Sequence, residues 1–327
     1  MVIRQLVYLV ALARERHFGR AAEACHVSQP GLSTALRQLE EELEIPIILR
    51  TQRFKGFTPQ GEIVLDFARR VLAESAFMRQ QLMEGKKALE GRISIGVVPS
   101  VMPMLPLLTR PLCMRFPNIS IEALSLTESE IERKIVEFEL DIGFTLLNRV
   151  SLPNLRTTEP LYAESYVFLT PNDGKYADYK SISWQEAATS SLALLKDTIH
   201  TRQVINREFS AVNCKPNPQV ETDSILSLCS HVCSGQWSTI LPKSYLHPFG
   251  PPQGTIALTF TNSKKAEPVG LVMIDREPMP PLIQALLDVS NEQHVLNELR
   301  KLNEVPIDAA DPLSFPRSCH DELQRYQ

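Results

Sequence analysis

Three groups of residues in this 327-residue chain have types and spacings that could do chemistry. Cys229-x-His231-x-Cys233 offers two thiols and an imidazole to a metal ion or an oxidant. Glu40-Glu41-Glu42 offers carboxylates for proton transfer. Ser28, Gln29, Pro30, Ser33, Thr34 and Arg37, followed by Arg50, Arg53 and Lys55, offer short polar groups and cations to a polyanion. The first group lies in a helical pattern, where residues i and i+4 share a face and i+2 points away. Three ligands cannot converge from that geometry and no fourth is suggested, so no metal is expected. A buried pair of free thiols is the expectation, since side chains one helical turn apart also meet disulfide geometry poorly. The three glutamates close a helical pattern and read as solvated. The sequence has no Walker A loop, GxSxG, HExxH or GxGxxG, so no catalytic residue and no cofactor is expected.

The third group gains its meaning from the elements that must carry it. Ile3, Leu6, Val7, Val10 and Ala13 recur at helical spacing over residues 3–15. His17-Phe18-Gly19 interrupts them, and Arg20 to Cys25 is a small-residue segment suited to close helix packing. Ser28 reads as an N-cap, Pro30 falls in the first turn of a third helix, and Val27 and Leu32 form a hydrophobic staple. Leu32, Leu36, Leu39 and Leu43 fall in one arc that must be buried. The opposite arc carries Pro30, Ser33, Thr34 and Arg37, with Gln29 at its margin. Short polar side chains and one long cation on the N-terminal half of a helix suit a major groove. Three short helices with a tight turn before the last have the outline of helix-turn-helix, and equally of a small bundle with an ordinary surface helix. Arg50 to Thr58 puts three cations and a glycine turn between apolar stretches, as a β-hairpin wing beside a minor groove would. A solvated hairpin is the plainer alternative.

These same residues carry a resemblance. Phe18-Gly19-Arg20-Ala21-Ala22, Val27-Ser28-Gln29-Pro30-Gly31-Leu32-Ser33, Leu36-Arg37-Gln38-Leu39-Glu40-Glu41-Glu42-Leu43, and Arg50 with Phe57-Thr58-Pro59-Gln60-Gly61 resemble the winged helix-turn-helix of LysR-type transcriptional regulators. The resemblance implies that Gln29, Pro30, Ser33 and Arg37 lie at double-stranded promoter DNA and that Arg50 and Arg53 anchor the wing. Two departures are Thr34, where many members carry a longer polar or basic side chain, and Ile48, where an aromatic is usual.

Thr58 can cap a helix that need not stop before about Leu89, with Pro59 in its first turn. Val64, Phe67, Val71, Met78 and Leu82 mark an apolar stripe along it that a small winged domain cannot cover. A partner helix is expected: a second copy, as in the resembled family, or the C-terminal part of the same chain. Dimerisation is favoured because a dimer matches two-fold symmetric DNA sites, and the resemblance extends this to a homotetramer.

From Gly91 onward strands and helices alternate. Ile93, Ile95 and Val97 read as a strand, Pro103 to Phe116 as a helix limited by Pro106 and Pro111, and Ile119 to Leu126 as a strand. Thr127-x-x-Glu130 is a capping box before Ile131, Ile135 and Phe138. Later strands are expected at 140–144, 166–170, 192–195, 219–222, 239–241, 255–261 and 270–275, and helices at 184–188, 201–209, 225–234 and 281–302. The expectation is an α/β architecture with mainly parallel sheets. This region also resembles the LysR effector domain, which implies two periplasmic-binding-protein-like sub-domains with a ligand cleft between them. The domain expectation is therefore a winged helix-turn-helix at 1–58, a linker helix at 59–90, an effector-binding domain at 91–302 and an irregular tail at 303–327.

Ser100 and Val101 follow the first strand of that domain, where free N–H groups favour an anion. Thr201 and Arg202 open a later helix, and Arg202 suits a carboxylate. The resemblance adds that equivalents of Ser100 and Thr201 commonly meet effectors; the plainer reading makes both simple N-caps. Trp237 stands where a small residue is usual and would narrow the cleft. Charge supports the division of labour: residues 1–90 carry 13 Lys+Arg against 11 Asp+Glu, and the rest 21 against 27, so a polyanion meets the N-terminal part. The apolar run at Leu6–Ala13 is too short for a membrane span and lacks a cleavage site. Six scattered cysteines read as reduced, cytoplasmic thiols. The function expected is a DNA-binding transcriptional regulator modulated by a small anionic effector. The alternatives are a thiol-based redox-sensing regulator and an α/β ligand-binding enzyme with an accessory winged domain.

Overall fold

Helices α1 (Ile3–Glu15), α2 (Phe18–Ala24) and α3 (Gln29–Leu43) enclose Leu6, Leu9, Leu12, Ala21, Ala22, Leu32, Leu36 and Leu39, all buried. The computed structural model describes residues 1–50, 54–83, 89–173, 175–261 and 266–304, with only the backbone of Arg50, Gln80, Met83 and residues 302–304. Strands β1 (Ile48–Arg50) and β2 (Phe54–Phe57) form an antiparallel wing. Leu43, expected in the buried arc, is 36% exposed, because the helix ends there and Glu44 turns into the left-handed region at φ 57°. Glu40 is not merely solvated: its Oε1 accepts from the N–H groups of Ile47 and Ile48 at 2.9 and 3.0 Å and fastens the wing to α3.

Helix α4 (Pro59–Met83) follows. Thr58 caps it, accepting from Gly61 N–H at 2.9 Å while donating to the Pro46 carbonyl at 2.6 Å. Gly61 is required by this close approach, since a Cβ there would lie 2.1 Å from the Ile47 carbonyl oxygen. Its 25 residues reach about 37 Å.

The C-terminal region has two lobes. The first contains β3 (Gly91–Val97), α5 (Pro106–Arg115), β4 (Ile119–Ser125), α6 (Glu128–Val136), β5 (Ile142–Leu146), β6 (Leu155–Thr157) and β7 (Tyr162–Glu164). The second contains β8 (Tyr166–Pro171), β9 (Ser181–Ile182), α7 (Trp184–Ala188), β10 (Ala193–Leu195), α8 (His200–Ala211), β11 (Val220–Thr222), α9 (Ile225–Cys233), β12 (Thr239–Pro242), α10 (Lys243–Leu246) and β13 (Thr255–Phe260). The chain returns to the first lobe with β14 (Glu267–Ile274), α11 (Pro281–Ser290) and α12 (Gln293–Glu304). The expected single helix at 281–302 is thus two, broken at Asn291–Glu292. Thr127 and Glu130 form the expected capping box.

The sheets are mixed rather than mainly parallel. In the first lobe, β4-β3-β5 is parallel and β14 runs against β5, β6 and β7. The second lobe orders β12-β8-β13-β9, with β8 antiparallel to both neighbours. The reason is the double crossing: β3 and β5 run toward the seam between the lobes, and β14 starts there. Alternate residues of β8 serve two cores, Tyr166 and Phe168 on one face, Val167 and Leu169 on the other.

One face of α4 docks on the first lobe. Arg69 pairs with Glu139 and, at 3.6 Å, with Glu137. Arg276 pairs with Glu74 at 3.1 Å and covers the Phe77 ring at 4.3 Å.

Candidate functional site

The expected recognition surface is built from α3 outward. Ser28 accepts from Gly31 N–H at 3.2 Å, confirming the N-cap. With Leu32, Leu36 and Leu39 buried, Gln29, Pro30, Thr34 and Arg37 project to solvent and Ser33 is half-buried. Beside this face, Val2, Arg4, Gln5, Tyr8, Ser28 and Gln38 line a groove of about 450 Å³ between α1 and α3. His17 orients α2, its Nδ1 accepting from Gly19 N–H at 3.1 Å. Phe54 of the wing meets Phe18 and Phe57 edge-on, at 6.2 and 5.2 Å between ring centroids. Those contacts hold the wing against α2 and leave Lys55 exposed. Arg50 lies in β1 by its backbone; Arg53 lies outside the described residues. The Phe18–Phe54 contact sets the wing beside the helices that carry the exposed polar face of α3.

The linker stripe divides. Phe67, Val71, Met78 and Leu82 are exposed, Phe67 at 60% and Leu82 at 72%, and Ile63 joins them at 58%. Val64 does not belong with them, because it packs half-buried against the winged-domain core. The apolar stripe stays open even though the adjoining face of α4 docks on its own first lobe.

In the expected effector region, Ser100 and Thr201 are each 7% exposed. Neither is an N-cap: the 3-10 turn Met102–Met104 begins after Val101, and α8 begins after Ile199, both without side-chain caps. Val101 is a core residue, and its N–H donates to the Val98 carbonyl at 2.9 Å. Arg202 is engaged within the second lobe. Its NH1 donates to the Leu195 carbonyl at 2.6 Å and to Glu221 at 2.8 Å, and its Nε to Asn206 at 2.8 Å. The guanidinium braces α8 against β10 and β11, so the partners it has here are internal rather than the expected carboxylate ligand. Trp237 is likewise occupied, donating to Gln219 Oε1 at 3.1 Å and meeting His231 edge-on.

The sequence reading missed the seam itself. Glu164 on β7 and Glu267 on β14 are register partners on the strands that join the lobes. Glu267 Oε2 meets His200 Nε2 at 2.9 Å, and its Oε1 accepts from Asn148 at 3.4 Å and Arg207 at 3.5 Å. His200 Nδ1 is buried without a partner. Glu164 is surrounded by Tyr162, Ser165 and Ser244, and burial pushes its carboxyl up to about 7. Lys243, also 7% exposed, is lowered by burial and raised back by the Glu164 charge. A glutamate inside the apolar run from Leu161 to Leu169 was the available signal, since such a charge is seldom buried without a purpose.

Comparison with known proteins decides the family. Residues 3–62 match the family model for bacterial regulatory helix-turn-helix proteins of the lysR family, and residues 86–294 match the LysR substrate binding domain. The chain belongs to the LysR family. This LysR-family member is 30% identical over 281 residues to the DNA-binding transcriptional dual regulator OxyR of Escherichia coli K12, covering 85% of this chain and 91% of that protein. It is 31% identical over 255 residues to the Hca operon transcriptional activator HcaR of the same organism, covering 76% of this chain and 84% of that one. A full-length OxyR variant from Pseudomonas aeruginosa superposes with TM-score 0.73 at 27% identity, covering 95% and 99% of the two chains. The chain is a LysR-type DNA-binding transcriptional regulator with a winged helix-turn-helix and a two-lobed effector-binding domain, and the relatives are regulators rather than enzymes.

The thiols of this LysR-type regulator differ from the expected buried pair. Cys229 is buried and Cys233 exposed on α9. Burial, reinforced by the charge of Cys233, pushes the Cys229 thiol up to about 11. His231 Nδ1 is engaged with the Ser227 carbonyl at 2.7 Å, and among the described residues no cluster of His, Cys, Asp or Glu could hold a metal. Among them also, no helix is long and apolar enough to cross a membrane. Cys319 lies outside the described residues.

Proposed function

We propose that this cytoplasmic regulator works as a homodimer, assembling further to a homotetramer, that reads promoter DNA with Gln29, Pro30, Ser33, Thr34 and Arg37 in the major groove. Ser28, Arg50, Arg53 and Lys55 contact the backbone or the flanking minor groove. The single observation that carries this is the solvent-facing polar arc of α3 on a fully buried apolar support. The domain division at 1–58, 59–90, 91–302 and 303–327 follows from the same reading. Pairing runs along Phe67, Val71, Met78 and Leu82, with Ile63 in place of Val64. Selection from a random DNA pool by the full chain should enrich a two-fold symmetric sequence; recovery of no shared sequence overturns the reading.

The effector is a small anion that enters between the lobes near Ser100 and Thr201. With Arg202 engaged elsewhere, Lys243 at the start of α10 supplies the cation. Because Ser100, Thr201 and Lys243 are buried, binding requires the lobes to part, which gives the ligand two unequal conformations to choose between. A thermal-shift screen of metabolite anions tests this, since a ligand of the folded state raises its apparent stability.

A second reading, peroxide sensing, is favoured by the relatives described as hydrogen peroxide-inducible genes activators. Against it, the thiolate is the reactive form, and Cys229 is held as the thiol.

A further inference from the structure

The hydroxyl of Ser244 lies within hydrogen-bonding reach of two oxygens. One is the Ser100 carbonyl of the first lobe, at 3.0 Å, and the other is Glu164 Oε2. A serine hydroxyl carries one proton. The Ser100 carbonyl has none to give, so it is satisfied only if Ser244 donates to it. Ser244 then has lone pairs alone to offer Glu164, and two oxygens facing each other without a proton between them repel. Each contact has a proton of its own when Glu164 is protonated and donates to Ser244; with Glu164 ionised, the single Ser244 proton must be shared between the two oxygens or given to one of them.

The remaining partners fit that assignment. Glu164 Oε1 accepts from the N–H groups of Ser244 at 3.3 Å and Ser165 at 3.2 Å, and Tyr162 donates to Oε2 at 3.2 Å. Every group in the cluster then has a partner of the right kind, as buried polar groups require. The charged and titratable groups facing Glu164 are few. Tyr162 and Tyr166, on β7 and β8, are both raised well above their usual range by burial. Lys243 lies on α10, and Glu267 opposite on β14 with His200 and Arg207 beyond it.

We propose that a proton on Glu164 latches the two lobes together at Ser100. When Glu164 ionises, the Ser244 hydroxyl turns to the carboxylate, the buried Ser100 carbonyl loses its donor, and the turn carrying Ser100, Val101 and Met102 loosens. The burial that sets Glu164 near neutrality places this change in the physiological range. The latch's role in regulation rests on the effector reading proposed above, because Ser100 is at the mouth of that site.

Hydrogen exchange of the full-length protein, without DNA or ligand, tests the latch. Rates for a peptide covering 98–105 are followed from pH 6 to 8.5 and corrected for the intrinsic pH dependence of exchange. Wild type should lose protection there about 2- to 10-fold through neutrality, the loss of one buried hydrogen bond. Ser244→Ala should show that reduced protection at every pH. Glu164→Gln, whose amide N–H₂ stands in for the carboxyl O–H, should be protected and flat. A flat wild type, or an unchanged midpoint in Glu164→Gln, overturns the proposal. Infrared difference spectra of wild type avoid dependence on a variant that folds poorly: a protonated-carboxyl band should be present at pH 6 and gone at 8.5, and its absence at pH 6 overturns the latch. A pH-dependent turn in a protein that binds no anion would leave the latch standing and remove the effector reading instead.

Discussion

Glu164 and Glu267 stand directly opposite each other on the two strands that join the lobes, yet their titrations move apart. Burial raises Glu164 to about 7, and the hydroxyl and N–H groups that touch it offset that only in part. Burial also acts upward on Glu267, but His200, Asn148 and Arg207 outweigh it and hold that carboxyl below its usual value. One hinge therefore carries an acid that titrates near neutrality beside a carboxylate held as the anion, and below neutrality this avoids two buried like charges.

Stability should follow. A carboxyl raised from 4.5 to about 7 in the fold contributes stability that is complete below about 4.5 and is lost as pH rises through about 7. At roughly 1.4 kcal/mol per pH unit between those values, the loss amounts to about 3 kcal/mol. Glu164→Gln abolishes this dependence, so its Tm relative to wild type should rise from pH 5 to pH 8. Calorimetric scans at the two pH values measure it, and a constant Tm difference would show that Glu164 does not titrate in this window.

On the DNA side, Arg37 and Lys55 are both exposed, and the proposed reading gives them different partners. Arg37→Ala, on the recognition face, should cost about 1–3 kcal/mol and relax the sequence preference. Lys55→Ala should weaken all sequences alike and reduce the salt slope by about one. Fluorescence anisotropy over a range of salt concentrations, on selected and scrambled duplexes, distinguishes them. Identical behaviour of the two variants would remove Arg37 from base recognition.

The linker helix gives a paired prediction. Phe67→Asp, at an exposed stripe position, should leave the monomer folded and abolish self-association in analytical ultracentrifugation, because the interface would bury an unpaired charge. Val64→Asp, against the winged core, should instead lower Tm by destabilising about 1–3 kcal/mol. An oligomer unaffected by Phe67→Asp would move the interface off the stripe.

These assignments also show where the sequence was readable. The caps at Ser28, Thr58 and Thr127, the buried Leu32-Leu36-Leu39 arc and the strand–helix alternation are local, and periodicity reports them faithfully. The direction of β14 and the separation of Val64 from Phe67 depend on contacts far along the chain. Arg202 is the clearest case. An arginine at a helix start suits an anion, and only the folded position of Glu221, 19 residues later, shows that its partner is internal. Glu164 and Ser244, 80 residues apart, meet only through the double crossing of the lobes.

Arg202 accordingly separates bracing from binding. Arg202→Ala removes three hydrogen bonds from a buried side chain and should destabilise by about 2–4 kcal/mol, lowering Tm by several degrees. Lys243→Met keeps the apolar stem, should change Tm little, and should remove the response to any anion found by thermal shift. A ligand response that survives Lys243→Met and vanishes in a folded Arg202→Ala would restore the carboxylate clamp.

The thiols supply the last test. With its thiol pushed up to about 11, Cys229 should be ionised in only about one molecule in ten thousand at pH 7, and the thiolate is the nucleophile. Cys113 and Cys233 are exposed on their helices, so iodoacetamide should label them in the native protein while Cys229 reacts only after denaturation. Hydrogen peroxide should follow the same order and leave Cys229 reduced, as read by mass spectrometry of tryptic peptides. Oxidation of native Cys229 at a rate matching Cys233 would mean that α9 opens readily, and together with peroxide-dependent DNA binding lost in Cys229→Ser it would establish the redox-sensing reading in place of the effector.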